Sequence, residues 1–126
     1  MGYGQVIETD EVFAGNERGA SNLPANIHSN ALSASLIVKS GQGLLYGFTV
    51  LNTNASAQFI QVFDAQSVPA DGAVPAVVFV VAGAGDKGVN WIPARTFHTG
   101  IVICNSSTAD TKTLGSADCF FDAQFV

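Results

Sequence analysis

The sequence predicts an all-β fold, an antiparallel sandwich or barrel of seven or eight short strands, and three observations carry that prediction. β-Branched and aromatic residues cluster in short runs, each run is bounded by turn-forming residues, and no 3.6-residue apolar period persists along the chain. The runs read as strands are Ala34 to Lys39, Leu44 to Asn52, Gln58 to Asp64, Ala76 to Ala82, Val89 to Ile92, Gly100 to Cys104 and Asp118 to Val126. Between them, Ser40-Gly41-Gln42-Gly43, Asn52-Thr53-Asn54, Pro69-Ala70-Asp71-Gly72 and Gly83-Ala84-Gly85-Asp86-Lys87-Gly88 supply residues that tolerate positive φ or preset a turn.

Residues 1–30 read differently. They hold Glu8, Asp10, Glu11 and Glu17 against Arg18, among scattered Gly, Asn and Pro. This is an extended N-terminal arm, lying over a neighbouring subunit or forming a first strand around Gln5 to Phe13 and a surface loop. Residues 31–126 form the β-sandwich domain. The last strand alternates most cleanly, with Cys119, Phe121, Ala123 and Phe125 on one face and Phe120, Asp122, Gln124 and Val126 on the other. In Leu44 to Leu51 the same period puts Leu44, Tyr46, Phe48 and Val50 on one side and Leu45 and Leu51 on the other, so a strand apolar on both faces is expected. Phe48, Phe59, Phe121 and Phe125 are the core expectations. Glu8, Asp10, Glu11 and Phe13 in the arm, with Phe120 and Val126 on the last strand, are the interface expectations.

Composition narrows the function classes. At 126 residues, 48% of them apolar, the chain has the length of one domain and enough apolar surface for a core. Charged residues are 12%, about half the usual share of roughly 25%. A surface so poor in charge fits a protein that packs against copies of itself or a scaffold. The net charge of −5 argues against neutralising nucleic-acid phosphates. No apolar stretch approaches the roughly 20 residues that span a bilayer. The first residues carry no secretory signal pattern, so cytoplasmic synthesis is expected. Cys104 and Cys119 lack CxxC spacing and read as buried free thiols; a bridge would need their segments to form a hairpin.

No candidate motif reaches catalysis, cofactor binding or a metal site. Gly83, Gly85 and Gly88 spell GxGxxG after an apolar run, but a dinucleotide site needs a helix next, and Val89-Asn90-Trp91-Ile92-Pro93 reads as a strand, which leaves a hairpin loop. His28 and His98 are the available bases; His98, near a strand start, reads as a structural or interface histidine. Asp64, Asp71, Asp118 and Asp122 offer paired carboxylates without singling out a pair. Asn54-Ala55-Ser56 and Asn105-Ser106-Ser107 match the glycosylation sequon, by chance in Ser/Asn loops. Trp91, Tyr46 and the phenylalanines suit either a core, which is preferred for most of the phenylalanines, or a stacking platform for sugars or bases.

From Gly43 to Val126 the chain resembles a family of small tailed-bacteriophage virion proteins. The likeness lies in Gly43-Leu44-Leu45-Tyr46-Gly47-Phe48-Thr49-Val50, Gln58-Phe59-Ile60-Gln61-Val62-Phe63-Asp64-Ala65, Val68-Pro69-Ala70-Asp71-Gly72, Gly100-Ile101-Val102-Ile103-Cys104-Asn105-Ser106-Ser107 and the ending Gly115 to Phe125. The resemblance implies a jelly-roll β-sandwich carried in many copies on a virus particle. Its expected role is a capsid decoration or cement protein, a homotrimer bound to the major capsid protein. A tail, neck or fibre component that binds host glycans through Trp91 or Tyr46 is the alternative. Neither reading calls for a cofactor, nucleic acid or membrane.

Overall fold

The computed structural model describes residues 23–126. The arm candidates Glu8, Asp10, Glu11 and Phe13, and the strand expected around Gln5 to Phe13, lie outside the described residues. Eight strands follow: β1 (Ala25–His28), β2 (Ser35–Lys39), β3 (Gly43–Asn52), β4 (Gln58–Phe63), β5 (Val77–Val81), β6 (Asp86–Phe97), β7 (Ile101–Ser106) and β8 (Cys119–Phe125). They form two four-stranded antiparallel sheets, β1-β8-β3-β6 and β2-β7-β4-β5. The fold is an antiparallel β-sandwich, and its pairing has one rule. β1 pairs with β8, β2 with β7, β3 with β6 and β4 with β5, as in a single long hairpin rolled up on itself. The β3–β8 and β4–β7 contacts close the roll. This is the jelly-roll arrangement. β1 falls inside the segment read as an arm, so the sandwich takes in residues from Ala25 onward.

The core lies between the sheets. Leu45, Phe48, Val50, Phe97, Cys119, Phe121 and Ala123 from the first sheet meet Val38, Ile60, Val62, Val81, Ile101 and Ile103 from the second. The face expected for β3 is overturned in its first half. Leu45 is buried on the same side as Phe48 and Val50, because the register against β8 slips between Leu45 and Gly47 and the extra residue, Tyr46, flips the phase. β6 runs through Pro93 instead of ending at Ile92. It is an edge strand, where a missing N–H breaks no ladder, and Trp91 to Ala94 bow out opposite Tyr46, leaving Ile92 97% exposed.

Of the four core expectations, Phe48 and Phe121 are buried and Phe125 packs half-buried against the cluster. Phe59 is a correction. It is half-buried on the outer face of the second sheet, because Ile60 and Val62 occupy the core face of β4. On that outer face a second cluster forms, with Phe63, Val102 and Cys104 under Ala65, Val68 and Ala73 of the β4–β5 loop.

The segment Gly83 to Gly88 corrects the hairpin expectation. It carries the chain from β5 in one sheet to β6 in the other. A side chain at Gly83 would stand 2.0 Å from the Ala55 carbonyl oxygen, so this glycine serves a backbone crossing. Cys104 and Cys119 likewise fall in different sheets, one in each hydrophobic cluster, and both are free.

Candidate functional site

Most polar side chains near the loops hold backbone in place. Asp64, at the end of β4, accepts hydrogen bonds from the backbone N–H groups of His98 at 3.1 Å, Thr99 at 2.7 Å and Gly100 at 3.2 Å, so one carboxylate caps the β6–β7 turn. The Thr99 N–H, joined by those of His98 and Gly100, outweighs the opposing effect of burial and holds this carboxyl below its usual pKa. Asn52 is buried. Its amide donates to the carbonyls of Ser56 and Ala82, both at 3.1 Å, and ties the β3–β4 turn to the β5–β6 crossing. Asp118 accepts from the Asn54 side chain at 2.8 Å. Gln61 lies buried on the outer face of the second sheet and donates to the carbonyls of Thr108, Ala109 and Thr111, which draws the β7–β8 loop down over the sheet.

The carboxylates open to pairing are therefore dispersed: Asp64 and Asp71 hold loops against the second sheet, Asp118 sits at the entry to β8, and Asp122 is on the outer face of the first sheet. His98 is exposed beside the Asp64 cap, while His28 ends β1 in the other sheet. Burial pushes the thiols of Cys104 and Cys119 up to about 11, far from a nucleophile's range. Trp91 is half-buried in an aromatic cluster, 6.0 Å from Phe48 and 6.3 Å from Phe79 between ring centroids, so it serves the core and not a stacking platform. Val126, an interface candidate, exchanges backbone hydrogen bonds with Leu44 at 3.0 and 3.1 Å.

Two surfaces stand apart from this structural use. One is the free edge of the second sheet. β5 is Val77-Val78-Phe79-Val80-Val81, with no charged or polar side chain, and among the described residues no strand pairs with its outer edge. Val78 and Val80 are 42% and 54% exposed, Val74 just before them is 75% exposed, and Phe59 lies opposite Val80.

The other is an open depression of about 580 Å³ on the outer face of the first sheet. One register row across it reads His28, Asp122, Thr49, Gly88, and the next reads Phe120, Leu51, Asp86. Phe120, the apolar residue on the polar face of β8, is thus brought beside Leu51, and both are 42% exposed. The alternation of β8 placed Phe120, Asp122 and Gln124 outward. It could not bring in Thr49, Leu51 and Asp86, which arrive by strand pairing. Comparison with family models, with curated proteins and with solved structures found no match for the chain.

Proposed function

We propose that the chain is a non-enzymatic structural protein of a tailed-phage virion, a capsid decoration protein that binds the major capsid protein and its own copies. The observation that carries this reading is the uncharged edge strand β5, which no other described residue pairs along its outer edge, with Val78 and Val80 exposed on it and Val74 exposed just before it. Unpaired edge backbone is a ready template for another chain, and proteins that stay solitary blunt such edges with charge, proline or a covering loop. The resemblance to small virion proteins supports the same reading, since its strings fall on β3, β4, β7 and β8, the strands that build both sheets, and on the loop that covers the second one. A trimer closes only head-to-tail, so β5 would meet a different surface of its neighbour; a two-fold β5–β5 pairing would give a dimer instead.

Sedimentation of the full chain tests the proposal. An oligomer is expected, a trimer on this reading, and Val78→Lys with Val80→Lys should reduce it to monomer without unfolding it. A wild-type chain that stays monomeric at high concentration and never adds to empty phage heads would end the decoration reading.

A further inference from the structure

We propose that the depression on the outer face of the first sheet is a binding site for a short neutral oligosaccharide. The inference stands apart from the virion reading and rests on the chemistry of this face alone. Its polar groups are largely unspent. Among the described residues, the Thr49 hydroxyl and the Asp86 carboxylate have no side-chain partner, and Asp122 is met only by Gln124 at 3.5 Å. Asp64, Asp71 and Asp118, by contrast, each hold a loop. The His28 ring is oriented by Nδ1 against the Ser29 carbonyl at 2.9 Å, which makes Nδ1 the donor and, in the neutral ring, leaves Nε2 as an acceptor.

The set is a mixed one: carboxylate acceptors, an imidazole acceptor and a hydroxyl that both donates and accepts. Sugar hydroxyls match it, because each donates and accepts and a vicinal pair can bridge to one carboxylate. Beside these groups, Phe120 and Leu51 present an exposed apolar strip, suited to the C–H face of a pyranose ring. Lys87 also lines the depression but lays its ammonium over the Phe79 ring, 5.9 Å from the centroid, so among the described residues no cation pairs with the two carboxylates, and together they repel phosphates and acidic sugars and favour a neutral ligand. Three metal-ligating side chains do not converge anywhere among the described residues, so the carboxylates are not read as a cation cage. Gly88 adds room. A side chain there would meet only the Thr49 methyl, at 3.7 Å, so the row ends in space.

That open position provides the test. Gly88→Leu should fold normally and fill the depression, while Asp122→Ala removes an acceptor without adding bulk. Amide spectra of the full chain would be titrated with neutral trisaccharides built from glucose, galactose, mannose and N-acetylglucosamine, with a sialylated trisaccharide and an oligolysine peptide alongside. Shifts are expected with at least one neutral sugar, confined to residues 49–51, 86–88 and 120–122 and insensitive to salt. Asp122→Ala should weaken binding about ten-fold and Gly88→Leu should abolish it, each with the remaining spectrum unchanged. Silence with every neutral sugar would overturn the proposal. So would shifts centred elsewhere, or binding only of oligolysine that fades with salt, which would make this an acidic face for a basic protein partner.

Discussion

Lys112, whose side chain is only 3% exposed, reaches Asp71, whose side chain is 61% exposed, and the pair locks two loops over the outer face of the second sheet. Backbone bonds run beside it: the Lys112 N–H donates to the Ala73 carbonyl and the Gly72 N–H to the Lys112 carbonyl, both at 2.8 Å, while the Leu114 N–H donates to Asp71 at 3.2 Å. The side-chain bond from Lys112, then the Leu114 N–H, holds the Asp71 carboxyl below its usual pKa.

The asymmetry of that pair sets its mutational signature. Asp71→Asn leaves a buried ammonium without its counter-charge, whereas Lys112→Met leaves an exposed carboxylate that water solvates. Breaking a pair from the exposed side is therefore the costlier change. Thermal melts should show a larger fall in Tm for Asp71→Asn than for Lys112→Met, and Lys112→Met within a few degrees of the wild type. The opposite order would remove the clamp from the account.

Asp64 gives a pH dependence of known sign. Its folded-state pKa lies below the unfolded value of 3.8, so its contribution to stability is full above that value and drains away as pH falls through the folded one. Asp71 shifts the same way. Denaturation midpoints should hold above about pH 5 and decline below about pH 4. Asp64→Ala should lower the midpoint at neutral pH and flatten the acid decline, and protection of the Thr99 amide from exchange should fall with it.

Phe121 and Phe59 provide a contrast in packing. Phe121 is 1% exposed in the core, and Phe121→Ala should cost about 3–5 kcal/mol in urea unfolding. Phe59, half-buried on the outer face, belongs to neither hydrophobic cluster, so Phe59→Ala should cost about 1 kcal/mol. Equal losses would mean that the phase of β4 is wrong.

The thiols should be silent. With both pushed up to about 11 by burial, alkylation at about pH 8 should leave Cys104 and Cys119 unmodified until denaturant is added. Mild oxidation should likewise leave two free thiols by mass, since Cys119 faces the core between the sheets while Cys104 faces the outer side of the second sheet. A Cys104–Cys119 bridge in native protein would contradict the topology.

All seven strand runs were legible because the period of two in sequences such as Cys119 to Phe125, and turn chemistry such as Asp71-Gly72, act over neighbouring residues. The polar face of β8 was readable for the same reason. Local pattern thus located seven of the eight strands and their alternation between an apolar core and an outer surface, but it left β1 inside the arm and stopped β6 at Ile92. Which strands pair, and so which residues meet, followed from packing between distant segments. Gln58-Phe59-Ile60-Gln61-Val62-Phe63 offers two apolar residues and one glutamine in either phase, and pairing of β4 with β5 and β7 chose Ile60 and Val62 for the interior. The slip at Tyr46 reversed half of β3, and Pro93 was tolerated because β6 became an edge. The depression shared by Asp122, Thr49 and Asp86 exists only because β8, β3 and β6 lie side by side. Local steric preferences set a strand within a few residues, but its neighbours come from the burial of a shared core across distant parts of the chain, which no local pattern encodes.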